Sequence, residues 1–268
     1  MPKTFAILAL WLLGLASTAK SDVPESEPIF KDGASCLFIG HSFFIPVAKS
    51  FDRIARQSGF TSHEVKLVFS PGPGGSPGRL WSNPRQRKRI DEALATGKID
   101  LMGMTVGGGN KFEDYQRWID LALKHNRETR FFIGVPWFFG GPRMESDRYN
   151  MAIEASGDQN FKTATELRKA YPKSHIYFIN YGFVASELKG RFEEGRLPDV
   201  TKISGLGDEA LFRDGLIGHG GPMMLEVSSL LWLKTLYGAD IGKIKRSAYK
   251  SNVEEIVGKV TEYNERYK

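Results

Sequence analysis

Cys36-Leu37-Phe38-Ile39-Gly40-His41-Ser42 is an apolar run that stops at a glycine, a histidine and a serine. A short, uninterrupted apolar stretch ending in a turn signal is the pattern of a strand buried on both faces, as in parallel sheets; a short buried helix shares that periodicity. In open α/β sheets ligands gather beyond the carboxyl ends of the strands, so Ser42 stands where chemistry is usually done. Taken alone, the stretch has a second interpretation, in which Gly40 makes the turn and Ser42 caps the following helix.

Downstream the chain alternates between two periods. Val47, Phe51, Ile54 and Ala55 form the apolar stripe of a helix, with Gly59 at its C-terminal cap. Val65, Leu67 and Phe69 predict a second strand, which runs into Pro71-Gly72-Pro73-Gly74-Gly75-Ser76-Pro77-Gly78, a segment too rich in Gly and Pro for helix or strand. Leu80 to Thr96 reads as one helix closed by Gly97, and residues 99–106 as a third strand followed by Gly107-Gly108-Gly109-Asn110. Tyr115, Trp118, Ile119 and Ala122 mark the next helix, and residues 130–137 a fourth strand. A long loop is expected from Phe138 to about Asp158, then a helix through Phe161, Ala164, Leu167 and Tyr171 and a fifth strand at 176–179. Val184, Leu188 and Phe192 mark another helix, Pro198 to Arg213 is irregular, and two helices follow, Met223 to Tyr237 and one through Val253, Ile256, Val257 and Val260. Such alternation, without repeats or a composition break, predicts a single α/β domain over residues 35–268: three layers, α/β/α, around a parallel sheet of about five strands.

At 268 residues, 41% hydrophobic and 25% charged, the chain has the composition of a globular protein. Basic Met1-Pro2-Lys3, apolar Phe5 to Ala16 and small Ser17-Thr18-Ala19 have the layout of a secretory signal peptide, predicted over residues 1–19, with a polar linker over 20–34. The apolar run is shorter than the ~20 residues a membrane span needs. The expectation is a secreted or periplasmic protein with no membrane span after signal cleavage. A lone Cys36 rules out an intramolecular disulfide and a cysteine metal site. No His-Glu-x-x-His or comparable spacing occurs, and Gly72 to Gly78 lacks the Gly-Lys-Ser/Thr of a P-loop, so neither metal nor cofactor is expected. The net charge of +6 is modest, and its densest cluster, Arg85, Arg87, Lys88 and Arg89, reads as a solvated helix face. Without a nucleic-acid motif beside it, no nucleic-acid partner is expected.

Ser42, Gly75 and Asn110 follow the first three strands, and Asp214 and His219 precede the apolar helix. A parallel sheet brings such positions to one edge. A serine hydroxyl attacks an ester only with a general base beside it; that base needs a group to hold its tautomer, and the oxyanion needs preorganised donors. Ser42 as nucleophile, His219 as base, Asp214 as orienting acid, and the Gly75 N–H and Asn110 carboxamide as donors fill these roles. Asp214 also suits a turn and Asn110 a helix N-cap, and Gly74 and Gly78 compete with Gly75.

In this order the residues resemble the SGNH/GDSL hydrolase superfamily: Gly40-His41-Ser42 is similar to its first block, Gly74-Gly75-Ser76 to its second, Gly108-Gly109-Asn110 to its third, and Asp214 with His219 to its last. The resemblance covers about residues 35 to 238. It implies a flavodoxin-like sheet and an esterase working through an acyl-enzyme, with Ser42 N–H joining Gly75 and Asn110 in the oxyanion hole. The chain departs from the pattern at His41, where an acidic or amide residue is usual and a site-shaping role is expected. It departs again at Lys111, in place of an aspartate, and in the five positions from Asp214 to His219 instead of three. Should that longer gap fail to close, Asp208 or a backbone carbonyl is left to orient His219. The substrate class implied is a small-molecule or carbohydrate ester. Trp81, Trp137, Phe138 and Phe139 flank the loops, as sugar-stacking surfaces or as core and lid packing. The contrasting class of function is a noncatalytic envelope protein that keeps the fold and binds glycan.

Overall fold

Cys36 to Ile39 are fully buried because helices cover both faces of the strand they form. The computed structural model describes residues 30–138 and 140–268; the predicted signal peptide, most of the predicted linker and Phe139 lie outside the described residues. At the linker's end Ala34 is buried and Phe30 packs edge-on against Tyr237.

β1 (Ser35–Gly40) lies between β2 (Glu64–Phe69) and β3 (Leu101–Thr105), and β4 (Arg130–Val135) and β5 (Ile176–Asn180) complete a five-stranded sheet. Every pairing is parallel and the order is β2-β1-β3-β4-β5, the flavodoxin-like arrangement. Strand order reverses beside β1, so its carboxyl end opens on the crevice where such sheets bind ligands. Parallel neighbours require crossovers. These are α1 (Ile45–Gln57), then α2 (Pro77–Ser82) with α3 (Pro84–Leu94), α4 (Phe112–His125) and α5 (Ser146–Ala170). After β5 come α6 (Gly182–Glu193), a two-stranded parallel pair β6 (Lys202–Ser204) and β7 (Ala210–Phe212), α7 (Pro222–Tyr237) and α8 (Val253–Asn264). α7 packs on α1, α6 and α8, while α2, α3 and α4 pack together, giving a three-layer α/β/α domain.

Aromatic rings fill the layer under α1 and α7. Phe38 meets Phe51 and Phe132 edge-on at 5.7 Å and Trp232 at 5.8 Å. Gly103 in β3 makes room for them, since a side chain there would collide with Phe38 and Phe132.

Four expected elements are revised. The helix expected from Leu80 to Thr96 is two, because Pro84 disfavours helical geometry at Asn83 (φ −93°, ψ 107°), whose side chain instead caps α3 by accepting the Gln86 N–H at 3.2 Å. The loop expected to last until about Asp158 ends at Ser146, where the 25-residue α5 begins. Gly157 sits inside that helix because any side chain there would strike Asn180 and Tyr267. The Gly/Pro segment, expected to hold neither helix nor strand, contains a 3₁₀ turn, Gly72–Gly75, and its last two residues open α2, because a proline in a helix's first turn loses no hydrogen bond; the irregular stretch before Asp214 contains β6 and β7.

Candidate active site

Gly40 ends β1 and the chain turns at once. The N–H groups of Phe44 and Ile45 donate to His41 O at 3.0 and 2.9 Å, starting α1. The Phe43 N–H donates to His41 Nδ1 at 3.2 Å. Ser42 lies inside this turn, half-buried, and its own N–H has no partner among the described residues. Because Nδ1 accepts, Nε2 of His41 carries the proton, which goes to Val106 O at 2.9 Å. Burial pushes the His41 pKa below the usual imidazole value, against the opposing pull of the Val106 carbonyl. His41 is thus a neutral clamp joining the end of β1 to the end of β3. With both ring nitrogens engaged, it is no base for Ser42.

His219 arrives from the far end of the chain. Phe212 and Gly220 form an antiparallel bridge and Arg213 N–H donates to His219 O at 2.7 Å, so residues 213–219 close into a loop. Asp214 stands on one leg and His219 on the other, and this closure spans the five-position gap. Asp214 Oδ1 accepts the N–H groups of Ile217 (2.6 Å) and Gly218 (2.9 Å), and Oδ2 accepts His219 N–H at 3.2 Å. Gly218 takes φ +82°, a left-handed turn that suits glycine.

Asp214 Oδ2 lies 2.7 Å from His219 Nδ1, and His219 Nε2 lies 3.0 Å from Ser42 Oγ. Partial burial pushes the Asp214 pKa up. The Gly218 N–H, the His219 imidazole and the N–H groups of Ile217 and His219 outweigh it and hold the carboxyl well below the usual carboxylate range. An ionised Asp214 accepts a hydrogen bond from the Nδ1–H of His219, which leaves the Nε2 lone pair to accept the Ser42 hydroxyl.

The second loop closes on the turn that carries Ser42 and on the start of the third loop. A Cβ on Gly75 would come within 2.6 Å of His41 Cβ and Ser70 O and 2.7 Å of the Gly40 carbonyl carbon, so Gly75 is pressed on the turn that carries Ser42. Gly78 instead faces Asp114, and Gly74 faces Ser70. One residue on, Ser76 is buried against Gly107. The Asn110 amide donates to Tyr115 Oη at 2.9 Å and its backbone N–H to Gly107 O at 3.2 Å, which fixes its side chain beyond β3. Lys111 is exposed and its N–H donates to Asp114 Oδ2 at 3.0 Å. The described residues contain no group of three or more His, Cys, Asp or Glu suited to hold a metal ion.

No family model and no curated protein matches the chain. Among solved structures it is similar to a DUF4886 family protein from Bacteroides uniformis ATCC 8492. The TM-score is 0.55 at 12% identity, over 88% of this chain and 95% of that one. That likeness is one of fold. It also aligns, over 42% of its length and 49% of the other chain, with the periplasmic domain of lipopolysaccharide acetyltransferase from Salmonella ser. Paratyphi A, at 11% identity and a TM-score of 0.31.

Sequence reasoning missed Phe43 and Tyr181 among the side chains that hold this arrangement in place, and left the role of Trp137 open between sugar stacking and packing. Phe43 stacks on the His219 ring at 5.0 Å and 26°. Tyr181, just after β5, donates its hydroxyl to Phe43 O at 2.9 Å, and Trp137, just after β4, donates its indole N–H to Gly218 O at 2.9 Å. Both are buried aromatics with a polar tip at a strand's carboxyl end, and that position is the signal from which they were legible. Trp137, with a relative exposure of 3%, is occupied by packing, and Trp81 packs edge-on against Trp118 under Arg87. Arg85, Arg87, Lys88 and Arg89 are exposed on α3.

Proposed function

We propose that this protein is a serine ester hydrolase of the SGNH type, working through an acyl-enzyme. The observation that carries it is the hydrogen-bonded chain from Ser42 Oγ through His219 to Asp214. In the first step Ser42 Oγ bonds to the ester carbonyl carbon as its proton passes to His219 Nε2. The imidazolium that forms is stabilised by the Asp214 carboxylate. The carbonyl oxygen, now an anion, is received by the free N–H of Ser42 at the positive end of α1, with the Gly75 N–H and the Asn110 carboxamide as further donors. Collapse breaks the bond to the alcohol oxygen, which takes the proton from His219. Water then attacks the acyl carbon as His219 Nε2 accepts its proton; collapse breaks the bond to Ser42 Oγ, which takes that proton back from His219, and the acid leaves.

The leader-like first 19 residues support a secreted or periplasmic location, and no described helix is long and apolar enough to cross a membrane. For the ester itself, a sugar ring stacked on Trp137 has little support, since that side chain lies under the His219 loop. Small-molecule esters with an open alcohol side suit a half-exposed Ser42 and His219. The test is labelling by a fluorophosphonate probe together with hydrolysis of p-nitrophenyl acetate. Ser42→Ala removes both in a protein that still melts cooperatively. Undiminished turnover in that variant refutes the proposal, and a folded wild-type protein that neither labels nor turns over refutes it and favours a glycan-binding role.

A further inference from the structure

Phe43 follows Ser42 in the turn between β1 and α1. Its neighbour Phe44 is fully buried in the aromatic layer, whereas the half-buried Phe43 lays its ring on His219, with centroids 5.0 Å apart and planes at 26°. Three strand ends fix that placement. The Phe43 N–H donates to His41 Nδ1 at 3.2 Å, after β1, and its carbonyl accepts the Tyr181 hydroxyl at 2.9 Å, after β5. Trp137, after β4, meets the Phe43 ring edge-to-face at 5.7 Å, and its indole N–H holds the carbonyl of Gly218, one residue before His219.

A phenyl ring over an imidazole has two electrostatic effects of opposite sign. As an apolar cover it keeps water from one face and disfavours the charged form. Its own negative face attracts a cation held within about 6 Å of the ring centroid. An aliphatic side chain of similar bulk supplies the first effect, and only an aromatic ring supplies the second. The stack also restrains rotation of the imidazole, whose Nδ1 lies 2.7 Å from Asp214 Oδ2 and whose Nε2 lies 3.0 Å from Ser42 Oγ. Asp214 is the charged group hydrogen-bonded to His219; Arg213 beside it is exposed, and His41, 6.0 Å from the Phe43 ring, is the neutral clamp.

Resting on the ester hydrolase proposal, we infer that Phe43 is a positioning residue of the reaction: its ring aims His219 Nε2 at Ser42 and stabilises the imidazolium formed when the Ser42 proton arrives. An interaction stronger with imidazolium than with imidazole acts on the transition state more than on the bound ester, so it raises kcat and leaves KM nearly unchanged.

The acidic limb of kcat/KM against pH reports the free base. Phe43→Leu keeps the cover and removes the aromatic face, so the imidazolium gives up its proton more readily. The limb moves to lower pH by about half a unit, and kcat on the plateau falls about three-fold with little change in KM. Replacing Phe43 by trifluorophenylalanine, which nearly keeps the ring's shape while withdrawing charge from its face, moves the limb the same way, and Phe43→Tyr leaves it in place. A limb unmoved in Phe43→Leu and in the fluorinated protein, or moved in Phe43→Leu alone, overturns the inference, because packing alone then accounts for Phe43. NMR titration of the His219 Cε1–H signal in wild type and Phe43→Leu reads the same displacement without turnover. A lowered midpoint with no ester hydrolysed upholds the stack and sinks the hydrolase; hydrolysis by both proteins with equal midpoints does the reverse.

Discussion

Replacing Asp214 by asparagine keeps size and shape while changing one acceptor into a donor. In the native loop Oδ1 takes the N–H groups of Ile217 and Gly218 at 2.6 and 2.9 Å, and Oδ2 takes His219 N–H at 3.2 Å and Nδ1 at 2.7 Å. An asparagine oxygen can serve one pair. Serving the second pair turns the amide NH₂ against two short, rigid backbone donors. Serving the first opposes it to one long backbone contact and to a ring that can exchange tautomers, and that is the lesser penalty. The amide then donates to Nδ1, His219 carries its proton on Nε2, and no lone pair faces Ser42. The expected loss is about 10⁴-fold in kcat, or about 5 kcal/mol of barrier. Loss of charge-assisted bonds costs about 1–3 kcal/mol of stability, a melting shift of several degrees. Steady-state hydrolysis of p-nitrophenyl acetate alongside a thermal melt separates the two effects. A kcat within ten-fold of wild type, with the melting shift present, would mean that Asp214 only staples the loop, and the tautomer argument would fall.

Gly75→Ala places a methyl 2.6 Å from His41 Cβ and Ser70 O, so backbone must move; a destabilisation of about 1–3 kcal/mol and a drop in kcat of at least ten-fold are expected, and an unaltered melt and rate would show that the turn has slack. His41 and His63 both have pKa values pushed below the usual imidazole range, chiefly by burial. Below pH about 6.5 the unfolded chain binds protons that these folded residues exclude, so stability falls as pH drops. His41→Gln removes one of the two contributions, and its melting temperature should decline less than that of wild type between pH 7 and pH 5; an equal or steeper decline would contradict the clamp assigned to His41. Ser42→Ala should abolish fluorophosphonate labelling with no loss of melting temperature, read by gel fluorescence and calorimetry.

Burial leaves a mark in sequence that needs no tertiary information. Strands covered on both faces must be apolar throughout, as Cys36 to Ile39 and Phe131 to Val135 are, and the helices between them must show an apolar stripe, as Val47 to Ala55 does. Those constraints determined the α/β class and the five parallel strands. One boundary failed where a residue's place answers to distant neighbours: Gly157, in the stretch expected to be loop, lies inside α5, where Asn180 and Tyr267 fill the space a side chain would need.

The same division holds at the site. Sequence order alone put Ser42, Gly75 and Asn110 after successive strands, because a parallel sheet sends every strand's end to one edge. It left open whether Asp214 or Asp208 faces His219, and whether five positions are too many to close the gap. Hydrogen bonds act over about 3 Å, and Ser42 lies 177 positions from His219. That approach is decided by the bridge from Phe212 to Gly220, the N–H donors on Asp214, and the Tyr181 and Trp137 anchors. Hydrophobic pattern is local and legible in sequence, whereas the meeting of three polar groups depends on loops whose closure only the folded chain determines.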